Sequence, residues 1–141
     1  MQPFIKISGL VFMDKLKYPE LIIPQYKTSF LAGASGSGKS TLFKLINATL
    51  SPSSGTIEYN GTDTATMDTI GLRRELLLAS QDAYLFEGTI KQNFEMYYAF
   101  RDNLCITEAG MRKYLYLCCV DFALDTPCKN LSGGEKQRVF M

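Results

Sequence analysis

Eight residues constrain this chain more than any others: Gly33-Ala34-Ser35-Gly36-Ser37-Gly38-Lys39-Ser40. Glycines at 33, 36 and 38 let a backbone curl round an oxyanion, so that consecutive N–H groups face one concavity. The β-rich segment Thr28 to Ala32 precedes them. After them, Lys39 to Leu50 carries Leu42, Leu45, Ile46 and Thr49 at helical spacing, and Ser51-Pro52 marks the stop. Strand, glycine loop and helix in that order are the context a phosphate-binding loop requires. The helix N-terminus adds partial positive charge. Lys39 can then reach the β- and γ-phosphates, and the Ser40 hydroxyl can ligate Mg²⁺. The bland reading is a flexible Gly/Ser turn. Chance alone produces G-x-x-x-x-G-K-[S/T] about once in 200 chains of this length, so the phosphate reading is preferred.

Composition narrows the remainder. At 141 residues the chain is one domain or part of one, and 46% hydrophobic content excludes a disordered or low-complexity polymer. Fifteen Lys+Arg against fourteen Asp+Glu leave a net charge of +1, which argues against nucleic acid as a partner. The longest apolar run, Tyr114 to Val120, falls far short of the roughly 18 residues of a bilayer span. Met1-Gln2-Pro3-Phe4 lacks the basic-then-apolar pattern of a secretory signal. Without histidine, no imidazole chemistry is available. Cys105, Cys118, Cys119 and Cys128 form no C-x-x-C pair. They read as reduced, small apolar residues rather than as a metal or redox centre.

Along the chain, strand-like and helix-like segments alternate. Ile5 to Phe12 and Leu21-Ile22-Ile23 are strand candidates. Thr56 to Tyr59, Asn60-Gly61 and Thr62 to Ala65 predict a hairpin, since Asn-Gly supplies both positive-φ residues of a type I′ turn. Leu76 to Ala79 is the kind of apolar run expected of a buried parallel strand. Thr89-Ile90-Lys91-Gln92 matches a capping box and predicts a helix towards Phe100. A further helix is predicted over Met111 to Val120. Strands mixed with helices in this order suggest an α/β layer with a helical insertion.

A second motif, Leu131-Ser132-Gly133-Gly134-Glu135-Lys136-Gln137-Arg138, has the S-x-x-E spacing of a capping box. Two glycines in the first turn of a helix cost stability, and they suit a place where the backbone approaches an anion closely. An ordinary glycine-rich cap is the bland alternative.

Taken together, these motifs resemble the ATP-binding cassette (ABC) ATPase family. The glycine loop matches its phosphate loop, and Leu131 to Arg138 resembles its signature motif. Leu78 to Asn93 is similar to its glutamine loop, with Gln81 as the namesake, and Ser51 to Gly61 to the hairpin that follows the phosphate-loop helix. The resemblance implies an α/β fold: a P-loop NTPase core with an antiparallel β-hairpin region and a helical insertion subdomain. One domain would span 1–141, with the core over about 1–88 and the helical part over about 89–141. ATP and Mg²⁺ are the implied cofactors. Ser35, Gly36, Ser37, Gly38, Lys39, Ser40 and Thr41 would hold phosphates, with Ser40 and Gln81 on the metal and Gln81 sensing the γ-phosphate. Ser132 and Gly134 would serve the nucleotide of a second ABC domain in a head-to-tail homo- or heterodimer. Adenine usually stacks on an aromatic upstream of the loop; Phe12 is the candidate, with Tyr18 the alternative.

The implied partners are a membrane-embedded transporter subunit and that second cassette, with the protein held peripherally at the cytoplasmic face. The family pattern continues beyond Met141 into an apolar strand ending in Asp and Glu, then a switch histidine. The 141 residues are therefore expected to be the N-terminal part of such a domain, inactive alone in hydrolysis. Three readings follow. The first is the energy-coupling ATPase subunit of a transporter. The second is a soluble ABC protein outside transport, whose usual tandem cassettes or large insertions are absent here. The third is a non-hydrolysing nucleotide-binding or dimerisation fragment.

Overall fold

The computed structural model describes residues 4–80 and 84–141. These divide into two compact units, Met1–Leu78 and Ala79–Met141.

In the first unit a five-stranded antiparallel sheet carries strands β1 (Ile5–Phe12), β2 (Leu16–Lys17), β3 (Leu21–Ile23), β4 (Ser54–Tyr59) and β5 (Thr62–Asp63). Central β1 pairs with β4 along one edge and with β2 and β3 along the other. Period-two alternation turns Ile5 and Ile7 inward, opposite Tyr59 and Ile57. The register shifts between Ser8 and Val11, where Gly9 takes φ 58°, and inward facing resumes at Leu10. Gly55, at φ 87°, lies against this bulge. A Cβ there would meet the Gly9 carbonyl oxygen at 2.3 Å. The hairpin turn forms as predicted, with Asn60 at φ 49° and Gly61 at φ 81°, but its second strand ends at Asp63, whose carboxylate accepts from the Ala65 N–H and caps a short 3-10 turn over Thr64–Thr66.

Against the sheet pack α1 (Lys39–Ile46) through Leu42, Leu45 and Ile46, and α2 (Thr69–Glu75) through Leu72. Helix α1 stops short of the predicted Leu50. The buried Asn47 side chain turns back to accept from the Thr49 N–H (3.2 Å) and hydroxyl (2.7 Å), and Ala48 adopts φ 53°. Thr49 is exposed, so its helical spacing was coincidental. Arg73, on α2, donates to the freed Asn47 and Ala48 carbonyls (3.4 and 2.5 Å). Helix α2 was not foreseen. Its signal was Asp68, which caps the Ile70 and Gly71 N–H groups.

Two predicted strands do not form. Thr28 to Ala32 and Leu76 to Ala79 are irregular, with Phe30 93% and Leu77 68% exposed. A strand exists only when a neighbour takes its N–H and C=O groups. Among the described residues no strand runs beside either segment, and the sheet that does form is antiparallel throughout.

The second unit is helical: α3 (Ile90–Ala99), α4 (Glu108–Leu117) and α5 (Gly133–Phe140). Its core gathers Ile90, Met111, Leu115, Val120, Leu124, Cys128 and Leu131. The capping box at Thr89 is complete, with the Thr89 hydroxyl accepting from the Gln92 N–H and Gln92 Oε1 from the Thr89 N–H. Helix α4 ends three residues before the predicted Val120, in a turn where Cys119 takes φ 54° and the Val120 N–H reaches back to the Leu115 carbonyl. Val120 thereby packs beside Leu115. The cysteines divide: Cys128 is buried, as an apolar role requires, whereas Cys105 and Cys119 are exposed and fill no core.

Candidate functional site

Gly33 to Ser40 turns into α1 with Gly36 at φ 78° and Gly38 at φ 90°, both in the region that favours glycine. Gly33 needs no positive φ. Its role is closeness, since a Cβ there would lie 3.0 Å from the Ser37 hydroxyl. Gly38 is the N-cap of α1 and has no side chain to satisfy the first-turn N–H groups. Those donors, at Lys39, Ser40 and Thr41, have no carbonyl four residues before them inside the helix, which is what makes a helix start a ready anion seat. Lys39 crosses the loop, its ammonium donating to the Gly33 and Ala34 carbonyls (both 2.7 Å) and reaching the Ser37 hydroxyl at 3.5 Å. The loop is thus folded round its own cation. Residues Ser35 to Thr41 are brought together as the motif required.

The donor set fits the implied metal. Ser40 is exposed on the first turn of α1, and a hydroxyl there suits a hard cation whose other ligands are phosphate oxygens and water. Among the described residues no group of three or more Cys, Asp or Glu could hold a metal ion unaided. Gln81 lies outside the described residues.

Phe12 ends β1 half-buried and packs against the core of the first unit, as Tyr18 does. Tyr18 also makes a contact that sequence reasoning missed: its hydroxyl donates to the Gly38 carbonyl at 3.0 Å.

In the second unit, Ser132 caps α5. Its hydroxyl accepts from the Glu135 N–H (3.4 Å), while Glu135 accepts from the Ser132 N–H (2.7 Å). The Ser132 side chain first, and its N–H second, hold the Glu135 carboxyl below its ordinary value. No heavy atom would obstruct a Cβ at Gly133 or Gly134, so the backbone of this turn is open to approach. Sequence reasoning also missed Asn93, whose side chain accepts from the Phe86 N–H (2.8 Å) and donates to the Phe86 and Thr89 carbonyls. It pins Phe86, in the later part of the stretch that resembles the glutamine loop, to α3. Gly88, at φ 128°, belongs to the same turn, and a Cβ there would strike Gln92 Oε1 at 2.4 Å. Burial pushes the Cys128 thiol up, in keeping with an inert core residue.

A glycine loop folded round its lysine and opening a helix defines the class: a P-loop phosphate-binding protein. Comparison then supplies the family. A family model described as ABC transporter matches residues 16–141. The chain is 31% identical over 144 aligned positions to Protein STAR1 of Oryza sativa subsp. japonica, covering 97% of this chain and 41% of that protein. To ABC transporter B family member 17 of Arabidopsis thaliana it is 33% identical over 126 positions, 83% of this chain and 10% of that protein. Among solved structures, cbiO1 from Clostridium perfringens, part of the ABC transporter complex cbiONQ, superposes with a TM-score of 0.77 at 25% identity, over 99% of this chain and 59% of that one. A bacterial Atm1-family ABC exporter with ATP bound gives 0.78 at 27% identity, over 98% of this chain and 26% of that one. The chain belongs to the ABC transporter family, and its fold is that of the family's ATP-binding domain. It spans between 10% and 59% of the length of these relatives.

Proposed function

We propose that these residues form the phosphate-binding and signature portion of an ABC transporter's ATP-binding subunit, which couples ATP binding and hydrolysis to transport by a membrane-embedded partner. The observation that carries the proposal is the phosphate loop, with Lys39 across it and left-handed Gly36 and Gly38 at the entrance to α1. The N–H groups of Ser35 to Thr41 and the Lys39 ammonium bind the triphosphate, and the Ser40 hydroxyl holds its Mg²⁺ together with Gln81. When bound, that ion neutralises charge developing on the transferred phosphoryl group. Phe12 is the proposed adenine contact. Ser132 and Gly134 address the nucleotide of a second cassette, which makes a head-to-tail dimer the working unit. Over about 1–88 the core carries the first set, and over about 89–141 the helical subdomain carries the second. No helix among the described residues is long and apolar enough to cross a membrane, so attachment at the inner face is assigned to the partner.

Hydrolysis needs a water oriented by a general base. Four carboxylates of the first unit are engaged elsewhere: Glu58 with Lys6, Glu75 with the Tyr59 hydroxyl, and Asp63 and Asp68 as caps. The polypeptide of residues 1–141 is proposed to bind Mg-nucleotide while hydrolysing it at background rate. Titration of Mg-ATP against wild type and Lys39→Ala tests the binding assignment, and equal affinities would remove it. A hydrolysis rate abolished by Lys39→Ala and second order in protein would overturn the catalytic half. In the full-length protein, Gln81→Ala is expected to slow coupled turnover more than it weakens binding; a loss confined to binding contradicts the sensor role.

A further inference from the structure

We propose that Tyr18 is a positioning residue of the phosphate loop, and that the nucleotide site depends on its hydroxyl rather than on its ring. This rests on the phosphate-loop reading above and concerns how that loop is held in shape.

The Gly38 carbonyl accepts two hydrogen bonds, from the Leu42 N–H (2.8 Å), which closes the first turn of α1, and from the Tyr18 hydroxyl (3.0 Å). Both lone pairs of that oxygen are therefore used. Gly38 C=O and Lys39 N–H belong to one planar trans peptide unit, so fixing the carbonyl fixes the opposed direction of the Lys39 N–H. That N–H points away from the helix, into the concavity. Gly38 has no side-chain cap of its own, and Tyr18 supplies the fixation from twenty residues upstream.

Tyr18 is itself held. Its N–H donates to the Leu10 carbonyl (2.9 Å), and Pro19 restricts its backbone to extended conformations. Its ring packs against the core of the first unit. The fit against Gly38 is close: a Cβ there would sit 2.8 Å from the Tyr18 oxygen and 3.2 Å from Leu16 Cδ1. Glycine at 38 thus serves the Tyr18 contact as well as the left-handed φ.

Tyr18→Phe separates hydroxyl from ring. In the full chain, affinities for Mg-ATP and for Mg-tripolyphosphate, which has no base to stack, are to be measured well below the unfolding midpoint. If the hydroxyl aims the loop, both affinities fall by a common factor of roughly 3 to 10, the range of one hydrogen bond. Amide exchange at Lys39 and Ser40 rises while that of β1 stays unchanged. Unchanged affinities in Tyr18→Phe would overturn the proposal, as would a loss confined to ATP or a lower unfolding midpoint with affinity intact. If Tyr18→Phe binds ATP normally while Tyr18→Leu loses ATP but keeps tripolyphosphate, the ring stacks on the base and the proposal is wrong. Lys39→Ala is the control. If it loses tripolyphosphate and Tyr18→Phe does not, this inference alone fails; if it loses nothing, the phosphate-loop reading fails first.

Discussion

The two units hold their candidate sites by opposite means. In the first, backbone geometry and contacts between residues far apart in sequence set the loop and the elements around it: Tyr18 on Gly38 of the loop, Gly55 against Gly9 in the sheet, Arg73 on the end of α1. In the second, both helix starts that frame the motifs are set within four residues, by reciprocal caps at Thr89/Gln92 and Ser132/Glu135. The first unit should therefore be most sensitive where a glycine permits close approach. The second should be most sensitive where a short polar side chain replaces a missing backbone partner.

The largest expected effect tests the first half of that contrast. Gly55→Ala puts a Cβ 2.3 Å from a backbone oxygen at a residue with φ 87°. The left-handed penalty of about 1–2 kcal/mol adds to an overpacking cost of about 1–3, so a loss near 3 kcal/mol is expected from denaturant midpoints. A loss below about 1 kcal/mol would mean that the bulge yields and that backbone contact does not govern this unit. In the second unit, Thr89→Ala and Ser132→Ala are each expected to cost about 1 kcal/mol, the usual worth of an N-cap. They should act on α3 and α5 and leave the exchange protection of β1 and β4 unchanged. Protection lost in the sheet would break the comparison.

The same contrast decides what was legible in the sequence. Features closed within a few residues were readable: the Asn60-Gly61 turn, the two capping boxes and the glycine loop. Their determinants sit side by side in the chain. The failures were segments whose state depends on a partner. Thr28 to Ala32 and Leu76 to Ala79 have strand composition, yet composition supplies no neighbour to receive their hydrogen bonds. The lower end of α1 misled for another reason. The Leu42-Leu45-Ile46-Thr49 spacing fits a helix, but Asn47 offers its own side chain to Thr49 and ends the helix earlier. Within the site, the loop was legible and Tyr18 as its brace was not, because nothing in Tyr18-Pro19 reveals which carbonyl the hydroxyl meets.

Both units use one device in common. Helix α1 ends with Ala48 at φ 53° and α4 with Cys119 at φ 54°, each in the left-handed seat that glycine usually fills. Replacing either by glycine relieves about 1–2 kcal/mol of strain and adds back about 0.5–1 of unfolded-state entropy. Ala48→Gly and Cys119→Gly should each stabilise by about 0.5 kcal/mol, and by similar amounts. Unequal gains would show that the Arg73 clamp on the Ala48 carbonyl, and not local strain, sets the end of α1.

The smallest effect is electrostatic and belongs to the second unit. Lys91 and Glu108 pair at 2.7 Å between α3 and α4, with both side chains well exposed. Hydrogen bonding to Lys91 lowers the Glu108 pKa, the same bond raises that of Lys91, and Glu135 is lowered by its cap. A carboxylate lowered in the folded state binds fewer protons there than when unfolded. Its stabilisation is therefore fully present above the ordinary carboxylate pKa and is lost as pH falls through the lowered value. For Lys91 the sense is reversed: the contribution is complete below the ordinary lysine pKa and lost as pH rises through the raised one. In the first unit the shifted groups are phenols, Tyr18 raised chiefly by burial and Tyr59 chiefly by its bond to Glu75. Their contribution is likewise present below the ordinary tyrosine pKa and fades as pH rises through the raised values. Of these groups, then, those of the second unit alone weaken it in acid, while both units lose support in alkali. Glu108→Gln combined with Glu135→Gln should flatten the acid slope of stability measured by amide exchange in α4 and α5. The Lys91–Glu108 share should shrink at about 1 M salt, where the screening length falls to about 3 Å. An acid slope identical in wild type and the double variant would show that these carboxylates do not distinguish the two units.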